Sequence, residues 1–149
     1  VPSEYRLARR VNFYETDLAG IVHFSWFFRY MEEAEHALWR AAGLSIASAG
    51  EEIGYPRLAA SCRFHAPLRF EDEFEVWIRV AEMTRRTMRY ASLITRGGVR
   101  IASGSTTMAC VSKRPGETMK AIDLPAQVVE RFTVAPGVEE ADDDDALRP

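Results

Sequence analysis

The chain has 149 residues, 47% hydrophobic and 28% charged, with ordinary numbers of glycine and proline, which suits one globular domain with one core. The net charge of −3 comes from the last thirteen residues, GVEEADDDDALRP, whose six acids and one arginine leave +2 on the preceding body; no basic run is dense enough for nucleic acid or an anionic membrane. Two distant cysteines, three histidines without a zinc spacing, no export leader and no bilayer-length apolar run give the expectation of a cytoplasmic protein with reduced thiols, no metal and no membrane partner.

In chain order, Tyr5, Leu7, Arg9, Val11 and Phe13 alternate with polar neighbours, which predicts a half-buried strand. The period then changes. Phe24, Phe27, Phe28, Met31, Ala34, Leu38 and Ala41 recur at three- and four-residue steps, predicting one helix over 24–42 that stops at Gly43. A shorter helical stretch is expected over 46–53, ended by Gly54 and Pro56. Strands follow at 57–65, 73–83, 86–95 and 99–111, with a short extension near 119–123. Gly97-Gly98 is a hairpin signal, Thr84-Arg85 a turn, and Pro115-Gly116 another reversal. A last amphipathic turn is expected over 125–132, and an acidic, disordered tail over 136–149 beyond a single domain of residues 1–135.

One long helix and about five antiparallel strands make a core if the sheet curves around the helix, an α+β arrangement. The small residues of SGSTTMAC, 103–110, permit close approach of the backbone to the helix and to a second protomer. Trp77, on the outward face of its strand, points to a second packed surface.

The chemistry-bearing stretch is YETDLAGIVHF at the junction of first strand and helix. Asp17 there is either an Asx-turn or capping residue or a carboxylate held beside a helix N-terminus for catalysis. The order strand, YETDLAGIVHF loop, long aromatic helix and strand meander resembles the hotdog-fold acyl-CoA thioesterases of the 4-hydroxybenzoyl-CoA thioesterase group. The likeness is densest at residues 17–22, continues through FFRYMEEAE, and returns at APLRFEDEFEV and MKAIDLP, covering about residues 5 to 130.

The resemblance implies a hotdog fold, a homodimer often doubled to a tetramer, active sites at the helix-containing dimer interface, and hydrolysis of acyl-CoA with no cofactor beyond the CoA of the substrate. It matches Asp17 to the catalytic carboxylate, and Gly20 to Phe24 to the turn in which a backbone N–H, that of Phe24, polarises the thioester carbonyl. Such a set is chemically sufficient: the first turn of a helix exposes unpaired N–H groups for an oxyanion. The thiolate leaves readily because a thiol is acidic, with a reference pKa of about 8.5. Asp17 serves either as nucleophile or as general base, and no G-x-S-x-G elbow offers a serine instead.

His23 departs from the pattern D-x-x-G-x-V-Y-H of some relatives, since here the histidine precedes the aromatic Phe24; it is a catalytic candidate that would orient water or substrate from the adjacent position, the alternative being a ring turned to the interface or solvent. Arg85 and Arg86 in a strand-to-strand turn, with Lys120 in a late strand, resemble the basic positions that contact the nucleotide phosphates of CoA. Glu32, Glu33 and Glu35 read as helix-surface acids, and Trp26, Phe27 and Phe28 as packing or acyl-pocket residues. Two other functions stay open on the same fold: a 3-hydroxyacyl-thioester dehydratase using His23 or His65 as base, and a noncatalytic acyl-CoA-binding dimer.

Overall fold

The computed structural model describes residues 2–47 and 52–138. The elements run β1 (Glu4–Arg10), a 3-10 turn (Phe13–Glu15), α1 (Trp26–Ala41), β2 (Ile53–Gly54), β3 (Arg57–Phe64), β4 (Glu73–Met83), β5 (Thr87–Arg96), β6 (Val99–Ala109), β7 (Val111–Ser112), β8 (Lys120–Ala121) and α2 (Ala126–Arg131). Five of them form one antiparallel sheet in the order β1-β4-β5-β6-β3, and β2, β7 and β8 form a small second sheet. β4 alternates as its sequence dictates: Phe74, Val76, Ile78 and Val80 are buried against α1, while the odd positions face outward.

Phe27, Tyr30, Met31, Ala34 and Leu38 supply the buried stripe of α1, and they pack on β1, β4 and β3. The helix ends where Gly43 takes a φ of +77°, a conformation open to glycine. Arg131 of α2 donates to the Ala42 carbonyl at 2.9 Å, satisfying an acceptor that the helix end leaves over. The expected architecture of one helix wrapped by a curved five-stranded sheet is therefore present.

Gly104 of β6 is where helix and sheet meet most closely. A Cβ there would stand 2.3 Å from Met31 Cε and 2.7 Å from the Ser61 carbonyl oxygen. Because one of those neighbours is backbone, Gly104→Ala is expected to cost about 1–3 kcal/mol by overpacking, read as a lower urea midpoint.

Local differences from the sequence expectations have physical reasons. β1 stops at Arg10, and Phe13, expected inward, is 73% exposed: Asn12 opens a capping box with Glu15 that bends the chain into the 3-10 turn. The helix begins two residues later than expected, because His23–Ser25 form its lead-in. The proposed helix over 46–53 is interrupted. Residues 46–47 are a bend, Ile53–Gly54 pairs with Val111–Ser112 as β2, and the positions between lie partly outside the described residues.

Trp77 is covered from within the chain, with the Arg6 and Arg79 guanidinium carbons each 4.1 Å from its ring centroid. Beside it Ala135 and Val138 pack on Ala81 and Ala91. The acidic stretch 139–149 lies outside the described residues. Among the described residues no helix is long and apolar enough to cross a membrane.

Candidate active site

The Asp17 loop is a small closed hairpin. Thr16 and Val22 bridge, the Asp17 N–H donates to the Ile21 carbonyl at 2.9 Å, and the His23 N–H donates to the Glu15 carbonyl at 2.9 Å. Gly20 supplies the reversal: its φ is +80°, and a Cβ there would meet nothing within 4 Å, so conformation rather than space calls for glycine. The Val22 N–H donates to the Leu68 carbonyl at 2.8 Å, fastening the loop to the segment before β4.

Asp17 is half-buried. Its Oδ1 accepts the Ala19 N–H at 2.8 Å, an Asx-turn, while Oδ2 has no donor among the described residues. The structural and the chemical readings of this residue are thus compatible, one oxygen shaping the loop and the other standing clear.

His23 and Phe24 are both exposed, their rings 4.5 Å apart. His23 Nδ1 lies 2.8 Å from Ser25 Oγ and accepts the Ser25 N–H at 3.3 Å, so one ring nitrogen serves the helix start. The Trp26 N–H donates to the His23 carbonyl and the Phe27 N–H to that of Phe24. The Phe24 N–H has no acceptor among the described residues. An unpaired amide at a helix start, one residue beyond the Asp17 hairpin, is a donor available to an oxyanion.

Sequence reasoning missed the group that holds this loop. Glu15 is fully buried, and its Oε1 accepts from Arg9 Nη1 at 2.8 Å, the Asn12 N–H at 2.7 Å and the Tyr30 hydroxyl at 3.1 Å, while Oε2 accepts from Arg9 Nη2 at 2.5 Å. Arg9 in turn reaches Glu33 at 2.6 Å and lies over the Tyr30 ring. Burial pushes the Glu15 carboxyl up, but the bonds from Arg9, the Asn12 amide and Tyr30 outweigh it and hold it below the usual range. With a depressed folded value, its stabilising charge is present above the ordinary carboxylate pKa and lost as pH falls through the folded one. The capping-box spacing Asn12-x-x-Glu15 was the available signal; Arg9 and Tyr30 had none.

Other candidates fall into place as structure. Glu35, read as a surface acid, is buried and bonded bidentately to Arg57, one contact at 2.6 Å. His65 is exposed, with Nε2 3.0 Å from Ser103 Oγ; partial desolvation, Arg100 and Arg63 push its pKa down. The Cys62 thiol is pushed up to about 11 by burial and is not a thiolate nucleophile. Phe27 is buried, and Trp26 and Phe28 are half-buried.

The basic residues stand elsewhere. Arg85 and Arg86 occupy the β4–β5 turn, both within 3.3 Å of Asp123 Oδ1, and Lys120 is exposed in β8. The Asp17 loop leaves β1 beside Arg10, which pairs with Glu73 at the start of β4. The turn follows the other end of that 11-residue strand, about 36 Å away along the sheet. One chain therefore brings Asp17, Gly20, His23 and Phe24 together and sets Arg85, Arg86 and Lys120 at the opposite end. A cavity of about 380 Å³ lined by Glu32, His36, Tyr55, Arg57 and Lys113 among others has no wall from the Asp17 loop.

Residues 11–132 match the model of the thioesterase-like superfamily. A relative from Aquifex aeolicus, named provisionally as an esterase, is 34% identical over 133 residues, 87% of this chain and 97% of its own. A crystal structure of a hypothetical Aquifex aeolicus protein superposes with a TM-score of 0.78 at 32% identity, covering 89% of this chain and all of the other. A gentisyl-coenzyme A thioesterase superposes with a TM-score of 0.76 at 26% identity over 84% of this chain and 99% of that one. With the family model spanning most of the chain and the helix wrapped by its sheet, this chain belongs to the hotdog-fold thioesterase-like superfamily, closely related to the 4-hydroxybenzoyl-CoA type of acyl-CoA thioesterase.

Proposed function

We propose that the protein hydrolyses acyl-CoA thioesters to the free acid and CoA, with Asp17 as nucleophile or general base and the Phe24 N–H as oxyanion donor. The observation that carries this is a carboxylate with one uncommitted oxygen in a hydrogen-bonded hairpin, followed one residue beyond its closure by an unpaired amide at the helix lead-in. Attack on the carbonyl, by Asp17 or by water that it deprotonates, puts charge on the oxygen at the amide, and the thiolate departs without needing an acid; where Asp17 attacks, water then cleaves the resulting anhydride to the free acid and restores the carboxylate. Family membership and likeness to a gentisyl-coenzyme A thioesterase support a CoA thioester as substrate. Free Cys62 and Cys110 suit the cytoplasm.

The working unit in this reading is a homodimer. β3 is an edge of the sheet, with Leu58 and Phe64 exposed and one row of backbone groups open to another strand. Its C-terminal end meets the helix start, Phe64 packing on Phe27 with ring centroids 5.2 Å apart. Antiparallel pairing of β3 with a second copy reverses strand direction, bringing the second copy's basic turn to the end that holds Asp17 of the first. Such a dimer joins the carboxylate with Arg85, Arg86 and Lys120, which one chain separates, and these would hold the CoA phosphates.

The test is release of free thiol by the wild type across aromatic, short-chain and medium-chain acyl-CoAs, with the products identified. Equal amounts of CoA and free acid are expected from at least one substrate class. Binding without turnover would replace hydrolysis with a noncatalytic role, and water loss from a 3-hydroxyacyl-CoA would move the chemistry to a dehydratase using His23 or His65 as base.

A further inference from the structure

The Asp17 hairpin is anchored at two places: Val22, buried in the core and bonded through its N–H to the Leu68 carbonyl at 2.8 Å, and Glu15, the one anchor that acts through both its side chain and its backbone. Glu15 contributes its carboxylate, which four hydrogen bonds tie to β1, to the capping turn and to α1, and its carbonyl, which receives the N–H of His23 across the hairpin. Asp17 is two residues along the chain on one side of that closure, and Phe24 is one residue beyond it on the other. We infer that Glu15 is a positioning residue of the proposed thioesterase site: its anchored side chain and its bond to His23 jointly fix where the Asp17 carboxylate and the Phe24 N–H stand.

The cost of the arrangement points the same way. A buried ion pair adds little stability over apolar side chains of the same volume, because both charges must leave water, so a fully buried carboxylate with a bidentate arginine contributes chiefly geometry. The geometry is over-determined. Arg9 is itself held by Glu33 and by the face of Tyr30, and Tyr30 also bonds Glu15, so β1, the capping turn and the second turn of α1 are locked to one carboxylate. Catalytic groups tolerate little misplacement: about 1 Å costs roughly 100-fold in rate.

The inference rests on the reading of Asp17 and Phe24 given above, and its test separates the two. Glu15→Gln keeps the shape but turns an amide N–H₂ toward Arg9; Tyr30→Phe removes one hydrogen bond and keeps the ring, serving if the first variant does not fold. For Tyr30→Phe the expected result is kcat lowered about 10-fold, and for Glu15→Gln about 100-fold, with KM for acyl-CoA within about 2-fold because the phosphate contacts are elsewhere. Amide hydrogen exchange at Asp17, Val22 and His23 should accelerate while that of core strand β5 does not. A partial return of kcat in Glu15→Asp, which restores the charge, is also expected. Unchanged kcat in folded variants, or lowered kcat with unchanged exchange in the hairpin, overturns the positioning role and leaves the thioesterase reading standing. Absence of hydrolysis by the wild type overturns both.

Discussion

Asp17→Asn is expected to lower kcat for acyl-CoA hydrolysis by about 10²–10⁴-fold, the range over which a positioned base contributes, or up to about 5 kcal/mol of barrier. The amide can neither accept the proton of an attacking water nor form an acyl anhydride, so both proposed roles are lost together. The fold should be indifferent. Asn keeps an oxygen in the place of Oδ1, which accepts the Ala19 N–H at 2.8 Å, so with that bond retained at a half-buried loop position the stability change should stay within about 0.5 kcal/mol. Steady-state kinetics beside a urea melt separates the two effects. Full activity in the variant would remove Asp17 from the chemistry and reduce it to the residue of an Asx-turn.

Much of this was legible in the sequence, for reasons that differ by element. The strand at 73–83 could be read to the residue because Phe74, Val76, Ile78 and Val80 alternate strictly, and only one face of that strand meets the helix. The helix stripe was plain at Phe27, Met31, Ala34 and Leu38, which are buried, whereas Phe24 and Ala41 at its two ends are exposed and Phe28 is half-buried. The helix start was not plain, because His23 and Ser25 bond each other and delay the first full turn. Ile53–Gly54 was misread because its partner strand lies near residue 111, and pairing at that separation leaves no local periodicity.

In the candidate site, Asp17 and Gly20 drew attention because they stand at a change of period. Glu15 did not, since its partners Arg9 and Tyr30 meet it only once β1 and α1 are packed together. Glu35, which looked like one of three surface acids, is buried because Arg57 arrives from β3 to neutralise it. The separation of Arg85 and Arg86 from Asp17 was available in principle, because an 11-residue strand lies between the two ends. Read only as a motif list, the sequence put them in one site without asking which end of the sheet each occupied.

In the proposed dimer that separation would make the site a property of two chains, and mixing two defective variants tests it. Asp17→Asn lacks the reacting carboxylate. Arg85→Ala/Arg86→Ala keeps it but lacks two charge-assisted phosphate contacts, which should raise KM for acyl-CoA roughly 10–100-fold while leaving the hairpin untouched. If each site takes its carboxylate from one copy and its arginines from the other, a mixed dimer contains one intact site and one doubly defective site. Denaturing the two variants together at equal amounts, refolding them and measuring kcat/KM at low substrate should then recover about a quarter of wild-type activity, the statistical yield for a two-fold dimer. Neither variant refolded alone should approach that value. A mixture no more active than the mean of its two parents, from preparations in which mixed dimers are demonstrated by mass, would contradict the shared site and with it the central claim about how this fold assembles a thioesterase.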